Sequence, residues 1–260
     1  MLSNLVRALL VLLLVAGVPA LSYFTARPSR IRLIPRSALY LSAVLSQWLL
    51  GALGGLVIWA TLPGPSSVGL RAIPPGSFFS WTVLLILVSF AGIAVMAWLE
   101  HVGWWPQESE ITRLLLPETL REKLLAVLLV APSAGICEEL LYRGYLLPQF
   151  SQYLSSTTWG WVASSAAFGL AHSYHGVSGM LQAALLGALL AYPMVRMGSV
   201  YPAMAAHFLI DALLLAWLGR KLLRAGKESE PRTAGDEGRS SVGTTSGLGE
   251  QDGTGSCGQD

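Results

Sequence analysis

Charged residues and cysteines are both scarce in this chain of 260 residues. Only 12% of the residues are Asp, Glu, Lys or Arg, against about 25% in typical soluble domains. The 17 basic and 15 acidic residues leave a formal net charge of +2, so no strong basic field exists that would recruit nucleic acid. Two cysteines, Cys137 and Cys257, are too few for a disulfide framework or a CxxC zinc site.

Apolar residues, in contrast, are abundant: 53% of the chain is hydrophobic and the mean hydropathy is +0.55. A helix needs roughly 20 apolar residues to cross a hydrocarbon core about 30 Å thick. About seven segments approach or reach that length, namely residues 9–24, 38–62, 77–99, 124–137, 159–171, 177–195 and 199–218. Backbone in lipid must satisfy its own hydrogen bonds, and these runs lack the alternation of barrel strands. We therefore predict an all-α, polytopic membrane protein.

The basic residues of the short loops predict an orientation. Arg27, Arg30, Arg32 and Arg36 crowd the first loop, and further basic residues flank the third loop and follow the last span. With seven spans these regions share one side, which the positive-inside rule makes cytoplasmic. We expect a cell-membrane protein with an outside N-terminus and a cytoplasmic C-terminus. A cleaved signal peptide over residues 1–20 is the alternative, but it would put the four-Arg loop on the wrong side.

The chain divides into three regions. Residues 1–120 are predicted to form N-terminal transmembrane helices and loops, and residues 121–219 carry the chemistry-bearing motifs. From residue 226 onward the composition turns to Gly, Ser, Thr, Glu and Asp, which cannot bury a core. We predict that residues 220–260 form a disordered cytoplasmic tail.

Ionisable residues inside the apolar segments indicate the function. A charge at membrane depth costs at least about 2.5–3.5 kcal/mol, so such residues usually pair or line a cavity. They occur here in EELLYRG (residues 138–144), FGLAH (168–172) and HFLID (207–211). On a helix, Glu139 and Arg143 are i,i+4 neighbours that can pair, while Glu138 points to an adjacent sector. The same spacing places His207 and Asp211 on one face.

Two kinds of chemistry fit such a set. A carboxylate beside an imidazole can activate water as a general base, and a second histidine can donate hydrogen bonds to an oxyanion. Alternatively, Glu138, His172 and His207 could bind Zn²⁺ and activate its water. The HExxH signature of soluble zinc proteases is absent. The residues alone leave both readings open.

Non-catalytic readings also fit these residues. Glu138 and Glu139 with Arg143 could be a buried structural ion network. Intramembrane Glu and His also form proton relays, which a proton-coupled carrier would use, although paired inverted repeats are not evident. A third reading is a catalytically silent membrane scaffold.

His175 is a possible extra ligand where a helix is expected to end, and a nucleophilic role for Cys137 is disfavoured because an apolar span disfavours the thiolate.

The three motifs in this order, over roughly residues 122–218, resemble the CPBP family of intramembrane proteases, which comprises CAAX prenyl endopeptidases and bacteriocin-processing or immunity proteins. The resemblance implies a polytopic membrane endopeptidase with Glu138 as the water-activating base, assisted by His172. It further implies that Arg143 pairs with Glu139 to position the motif helix. The implied substrate is a membrane-associated peptide or protein, such as a prenylated CaaX tail or a leader peptide.

The last motif departs from the family pattern. The resemblance implies that His207 and Asp211 line the oxyanion site, but family members often have Asn where this chain has Asp211. An ionised Asp would repel an oxyanion. Asp211 is therefore expected to be protonated, to orient His207, or to help hold a metal.

Overall fold

The computed structural model describes residues 2–218. The predicted cytoplasmic tail, residues 220–260, lies outside the described residues. Within residues 2–218 every regular element is helical, which confirms the predicted all-α class. Five helices of this part of the chain are long and apolar enough to cross a membrane, and two shorter helices complete the predicted number of seven.

The seven helices follow one another along the chain with short connections. They are α1 Leu2–Thr25, α2 Arg36–Thr61, α3 Pro75–His101, α4 Leu120–Tyr153, α5 Thr157–Ala171, α6 Gly176–Met197 and α7 Tyr201–Ala216. A 3-10 turn, Ser173–His175, leads into α6. Two short helices, Pro28–Ile31 and Glu110–Leu115, lie in the connections before α2 and α4.

Contacts between the connections define two opposite faces of the bundle. At the start of α2, Arg36 Nη1 lies 2.9 Å from Glu118 Oε2, so the first and third connections meet. On the other face, the backbone N–H of Val200 donates to Gly69 O at 3.0 Å, which joins the connection before α3 to the turn before α7. Alternate connections therefore lie on alternate faces, as expected for seven successive spans.

Helix α4 is longer than the predicted segment 124–137. It runs uninterrupted for 34 residues and begins at a capping box, in which Thr119 Oγ1 accepts from the Glu122 backbone N–H while the Glu122 carboxylate accepts from the Thr119 N–H. The helix thus continues beyond the apolar segment through the EELLYRG motif, as the predicted pairing of Glu139 with Arg143 requires. The sequence contains Pro132 and Gly135, which favour a break, yet the helix passes through both.

Wide π turns explain how the helix accommodates its prolines. The π turn Ala126–Val130 lies just before Pro132, and the π turn Glu139–Leu146 lies just before Pro148. Proline has no N–H, and its ring clashes with the carbonyl four residues earlier, so a locally widened turn relieves both problems. The second π turn coincides with the EELLYRG motif, which places the site residues on this widened segment.

The main hydrophobic core surrounds α4. Leu141, Tyr142 and Tyr145 of α4 are almost completely buried, and Tyr145 Oη donates to the Arg7 carbonyl of α1 at 3.0 Å. Buried side chains from α1, α2 and α5 complete the cluster, among them Leu10, Leu14, Val57, Ile58, Ala167 and Phe168. The motif helix is thus enclosed by protein rather than by lipid on these sides.

The hairpin of α4 and α5 brings two motifs to one depth. Glu138 precedes the end of α4 at Tyr153 by about 22 Å of helix, at a rise of about 1.5 Å per residue. Helix α5 has 15 residues, so it returns over a similar distance of about 22 Å before ending at His172. A break near Pro132 is therefore not needed to bring these side chains together.

Candidate active site

Three helices bring the six predicted site residues into one cluster. Glu138, Glu139 and Arg143 lie on α4, His172 is the C-cap of α5, and His207 and Asp211 lie one turn apart on α7. Glu138 Oε2 is 3.9 Å from His172 Nε2 and also 3.9 Å from His207 Nε2. The motifs are thus joined around one carboxylate oxygen.

Glu139 and Arg143 form a buried ion pair beneath this oxygen. Arg143 Nη1 lies 3.0 Å from Glu139 Oε1, and the two side chains are 2% and 0% exposed. The guanidinium stacks on the Phe168 ring, with Cζ 4.0 Å from the centroid. Gly187 of α6 provides the space, because a Cβ there would lie 3.0 Å from Arg143 Nη2. The pair is therefore sealed by α5 and α6.

Hydrogen bonds orient both imidazole rings. His172 Nδ1 is 2.9 Å from Phe168 O, and a carbonyl oxygen only accepts, so this nitrogen carries the hydrogen. His207 Nδ1 donates in the same way to Glu139 Oε1 at 2.7 Å. Each ring therefore turns Nε2 toward Glu138, and the buried Glu139 sets the orientation of His207 as well as that of Arg143.

Asp211 lies next to the same nitrogen of His207. Its Oδ2 is 3.6 Å from His207 Nε2, and its side chain is 30% exposed, which makes it the most accessible of the three acidic side chains in the cluster. A hydrogen on Nε2 could therefore face Asp211 or Glu138.

A residue outside the motif region completes the surroundings of Glu138. Gln47 of α2 donates from Nε2 to Glu138 Oε1 at 2.9 Å, and Ser133 Oγ donates to Gln47 Oε1. Neither residue was predicted from the sequence. One signal was available, because Gln47 is the single side-chain amide in the apolar segment 38–62.

Glu138 therefore has two oxygens with different surroundings. Oε1 is bound by Gln47, whereas Oε2 is buried and makes no hydrogen bond with any residue of the described part of the chain. A buried carboxylate oxygen without a partner is costly and calls for an explanation. Its position between two imidazole nitrogens indicates a binding place for a small polar group.

The donor spacing is wider than that of an occupied zinc site. Bonds of about 2.0–2.1 Å in tetrahedral geometry place neighbouring donor atoms about 3.4 Å apart. The two distances from Glu138 Oε2 to the imidazoles are both 3.9 Å. Among residues 2–218, no group of three or more His, Cys, Asp or Glu side chains is arranged to hold a metal ion.

The remaining residues considered in the sequence have partners outside the cluster, although the His175 ring stacks parallel to that of His172 with centroids 6.3 Å apart. His175 Nδ1 is 2.9 Å from Thr112 Oγ1 and connects the turn before α6 to the third connection. Cys137 is buried and packs against Gly51 of α2.

Comparison with known proteins gives one match. Residues 120–213 match the family described as type II CAAX prenyl endopeptidase Rce1-like. The matched segment extends from the start of α4 into α7 and contains all six residues of the cluster but not Gln47. No curated protein and no solved structure matches the chain significantly.

Proposed function

We propose that this chain is an intramembrane endopeptidase that hydrolyses a peptide bond with water activated by Glu138, in keeping with the match of residues 120–213 to the type II CAAX prenyl endopeptidase Rce1-like family. The observation that carries the proposal is the buried, unpartnered Glu138 Oε2 between two imidazole nitrogens. A water molecule at this oxygen would donate one hydrogen to the carboxylate, which is the arrangement that general-base catalysis needs.

The proposed reaction uses Glu138 as base and then as acid. As the water oxygen attacks the scissile carbonyl carbon, its proton moves to Glu138 Oε2, and the carbonyl electrons move onto oxygen. When the tetrahedral intermediate collapses, the carbon–nitrogen bond breaks and the same proton passes to the leaving amine. The products are a carboxylic acid and an amine, and Glu138 is ionised again.

His172 is proposed to orient the attacking water. Its Nδ1–H is held by Phe168 O, so Nε2 presents a lone pair on the side of Glu138. A water that donates one hydrogen to Glu138 and the other to His172 would direct its own lone pair away from both. Its attack geometry is then set before the substrate arrives.

His207 is proposed to stabilise the oxyanion together with Asp211. Nδ1 of His207 already donates to Glu139, so donation from Nε2 requires a hydrogen on both nitrogens. Asp211 Oδ2, 3.6 Å from Nε2, lies where it can hold the ring but where an ionised form would repel an oxyanion. We propose that Asp211 orients His207 or acts in its protonated form.

The proposed substrate is a membrane-associated peptide or protein, of the prenylated CAAX or leader-peptide class. An apolar groove of about 570 Å³ lies between the start of α3, α4 and α7, and its lining includes Pro132, Ile136, Met204 and Phe208 but none of the six cluster residues. The groove is formed by α4 and α7, which also carry Glu138 and His207, and it would offer an apolar chain of the substrate a place on these two helices.

The protein is integral to the membrane and multi-pass, and we propose a cell membrane with a cytoplasmic C-terminus. Support comes from the face on which the basic first connection lies. Arg32 and Arg36 there contact Glu110 and Glu118, so the first and third connections share one side, as the charge distribution requires.

Cleavage of a panel of membrane-associated peptides by detergent-purified protein tests the proposal. Glu138→Gln, His172→Ala and His207→Ala are each compared with the wild type, with and without phenanthroline. We expect cleavage by the wild type, loss in the Glu138 variant at unchanged thermal stability, and no effect of the chelator. Equal turnover by wild type and Glu138→Gln would refute the mechanism. If both are folded and inactive on every peptide, the silent-scaffold reading is favoured.

A further inference from the structure

Close packing of α2 against α4 brings Gln47 to the site. Gln47, Gly51 and Gly54 lie on one face of α2 at i, i+4 and i+7. A Cβ at Gly51 would lie 2.8 Å from Cys137 Sγ and 3.2 Å from its Cβ, and a Cβ at Gly54 would lie 2.2 Å from a Leu141 methyl group. A Cβ at Gly51 would force Cys137 or the helices to move, so glycine favours the close approach at which the Gln47 side chain reaches Glu138.

The orientation of the Gln47 amide follows from its two partners. An ionised carboxylate only accepts hydrogen bonds, so the amide NH₂ must face Glu138 Oε1. Gln47 Oε1 then accepts from Ser133 Oγ. The Ser133 hydroxyl has a single hydrogen, which is shared between Gln47 Oε1 and Val130 O, and the distance from Ser133 Oγ to Val130 O is 2.9 Å. Ser133 thereby holds the amide in the orientation that donates to Glu138.

This arrangement makes the two oxygens of Glu138 unequal. Oε1 is occupied by an α2 residue, and Oε2 is left as the free acceptor between the imidazoles of His172 and His207. Without Gln47, rotation about the last side-chain bond would exchange the two oxygens and swing the carboxylate away from the water position.

We propose that Gln47 is a positioning residue, which fixes the Glu138 carboxylate so that Oε2 alone serves as base, with Ser133 holding the Gln47 amide. This inference rests on the proposed function. It assigns a part of the reaction to residues 1–119, which lie outside the family match. If Gln47 were only a structural bridge between α2 and α4, its replacement would lower thermal stability. If Gln47 positions Glu138, its replacement lowers kcat while KM stays unchanged.

The test measures kcat, KM and thermal stability for Gln47→Met, which keeps the side-chain length but removes the amide. The matched control is Gln182→Met, because Gln182 of α6 also donates to a serine, Ser178 Oγ, at 3.3 Å. We expect kcat of Gln47→Met to fall about 10- to 100-fold, the effect of losing one hydrogen bond to a charged group, with KM within about twofold. Gln182→Met is expected to keep the wild-type kcat.

A double-mutant cycle separates positioning from unrelated damage. Ser133→Ala alone is expected to lower kcat by a smaller factor, and to have no further effect in the Gln47→Met background, because it acts only through the amide. Additive losses of kcat would overturn the inference. Since Ser133→Ala is a mild change, it also provides the test if Gln47→Met does not fold.

Failure of the inference is distinguishable from failure of the proposed function. If Glu138→Gln abolishes cleavage while Gln47→Met retains the wild-type kcat, only the positioning role is refuted. If the wild type cleaves no peptide, infrared spectroscopy decides the inference. The carboxylate band that disappears in Glu138→Gln should shift in Gln47→Met and stay unchanged in Gln182→Met, and an unshifted band in Gln47→Met would refute the role of Gln47.

Discussion

Replacement of Arg143 by methionine should destabilise the protein strongly. Arg143 and Glu139 are 2% and 0% exposed, so Arg143→Met leaves a buried carboxylate without its counter-charge. Removing one partner of a buried ion pair costs about 3–5 kcal/mol. The loss of the contact between the guanidinium and Phe168 acts in the same direction.

The magnitude can be ranked with two further variants. Arg143→Lys keeps the charge but loses the planar stacking on Phe168, and we expect it to cost about 1 kcal/mol. The double variant Glu139→Gln with Arg143→Met removes both charges and keeps an acceptor for the Nδ1–H of His207. It should recover more than half of the stability that Arg143→Met loses, because the buried charge is no longer left alone.

Thermal unfolding in detergent measures these differences. At roughly 2–4 °C per kcal/mol for a chain of this size, Arg143→Met should lower Tm by about 6–20 °C. Arg196→Met on the exposed surface of α6 is the control and should leave Tm within about 2 °C. An unchanged Tm in Arg143→Met, or no recovery in the double variant, would refute the assignment of this pair as the buried structural part of the cluster.

Three other outcomes follow from the site. Asp211→Asn should retain or raise kcat, because an amide can donate to an oxyanion that a carboxylate would repel, and a loss of more than about tenfold would show that the carboxylate is required. Gly51→Ala should lower kcat because the added Cβ forces α2 away from α4. Combining it with Cys137→Ala should restore part of kcat, because this removes the Sγ atom that lies 2.8 Å from the added Cβ. Incubation with phenanthroline should leave cleavage unchanged, since the donor distances of 3.9 Å are wider than those of an occupied zinc site, and dose-dependent inhibition reversed by added zinc would contradict this.

Helical periodicity was sufficient to predict the local pairs of the cluster. The i,i+4 spacing brings Glu139 to Arg143 and His207 to Asp211, because such neighbours share a helix face whatever the rest of the fold does. Hydropathy likewise predicted an all-α membrane protein, since the length of an apolar run is set by bilayer thickness. The assignment of catalytic roles to these residues remains a prediction.

Contacts between distant segments were not accessible in the same way. The Gln47 to Glu138 hydrogen bond joins residues 91 positions apart, and it depends on how closely two helices approach. That approach depends on Gly51 and Gly54, which in the sequence are two of many small residues in an apolar run. The full length of α4 was also not predicted, because Glu138 and Glu139 interrupt the apolar run while the helix itself continues to Tyr153.

Helix α5 has a consequence for the bilayer around the protein. Its 15 residues span about 22 Å, whereas a typical hydrocarbon core is about 30 Å thick. A helix this short is accommodated by local thinning of the bilayer. Where the bilayer thins at the end of α5, His172 and the turn Ser173–His175 lie close to bulk water. The proposed hydrolysis consumes one water per bond, so we expect the acyl-chain length of the surrounding lipid to affect how readily that water arrives.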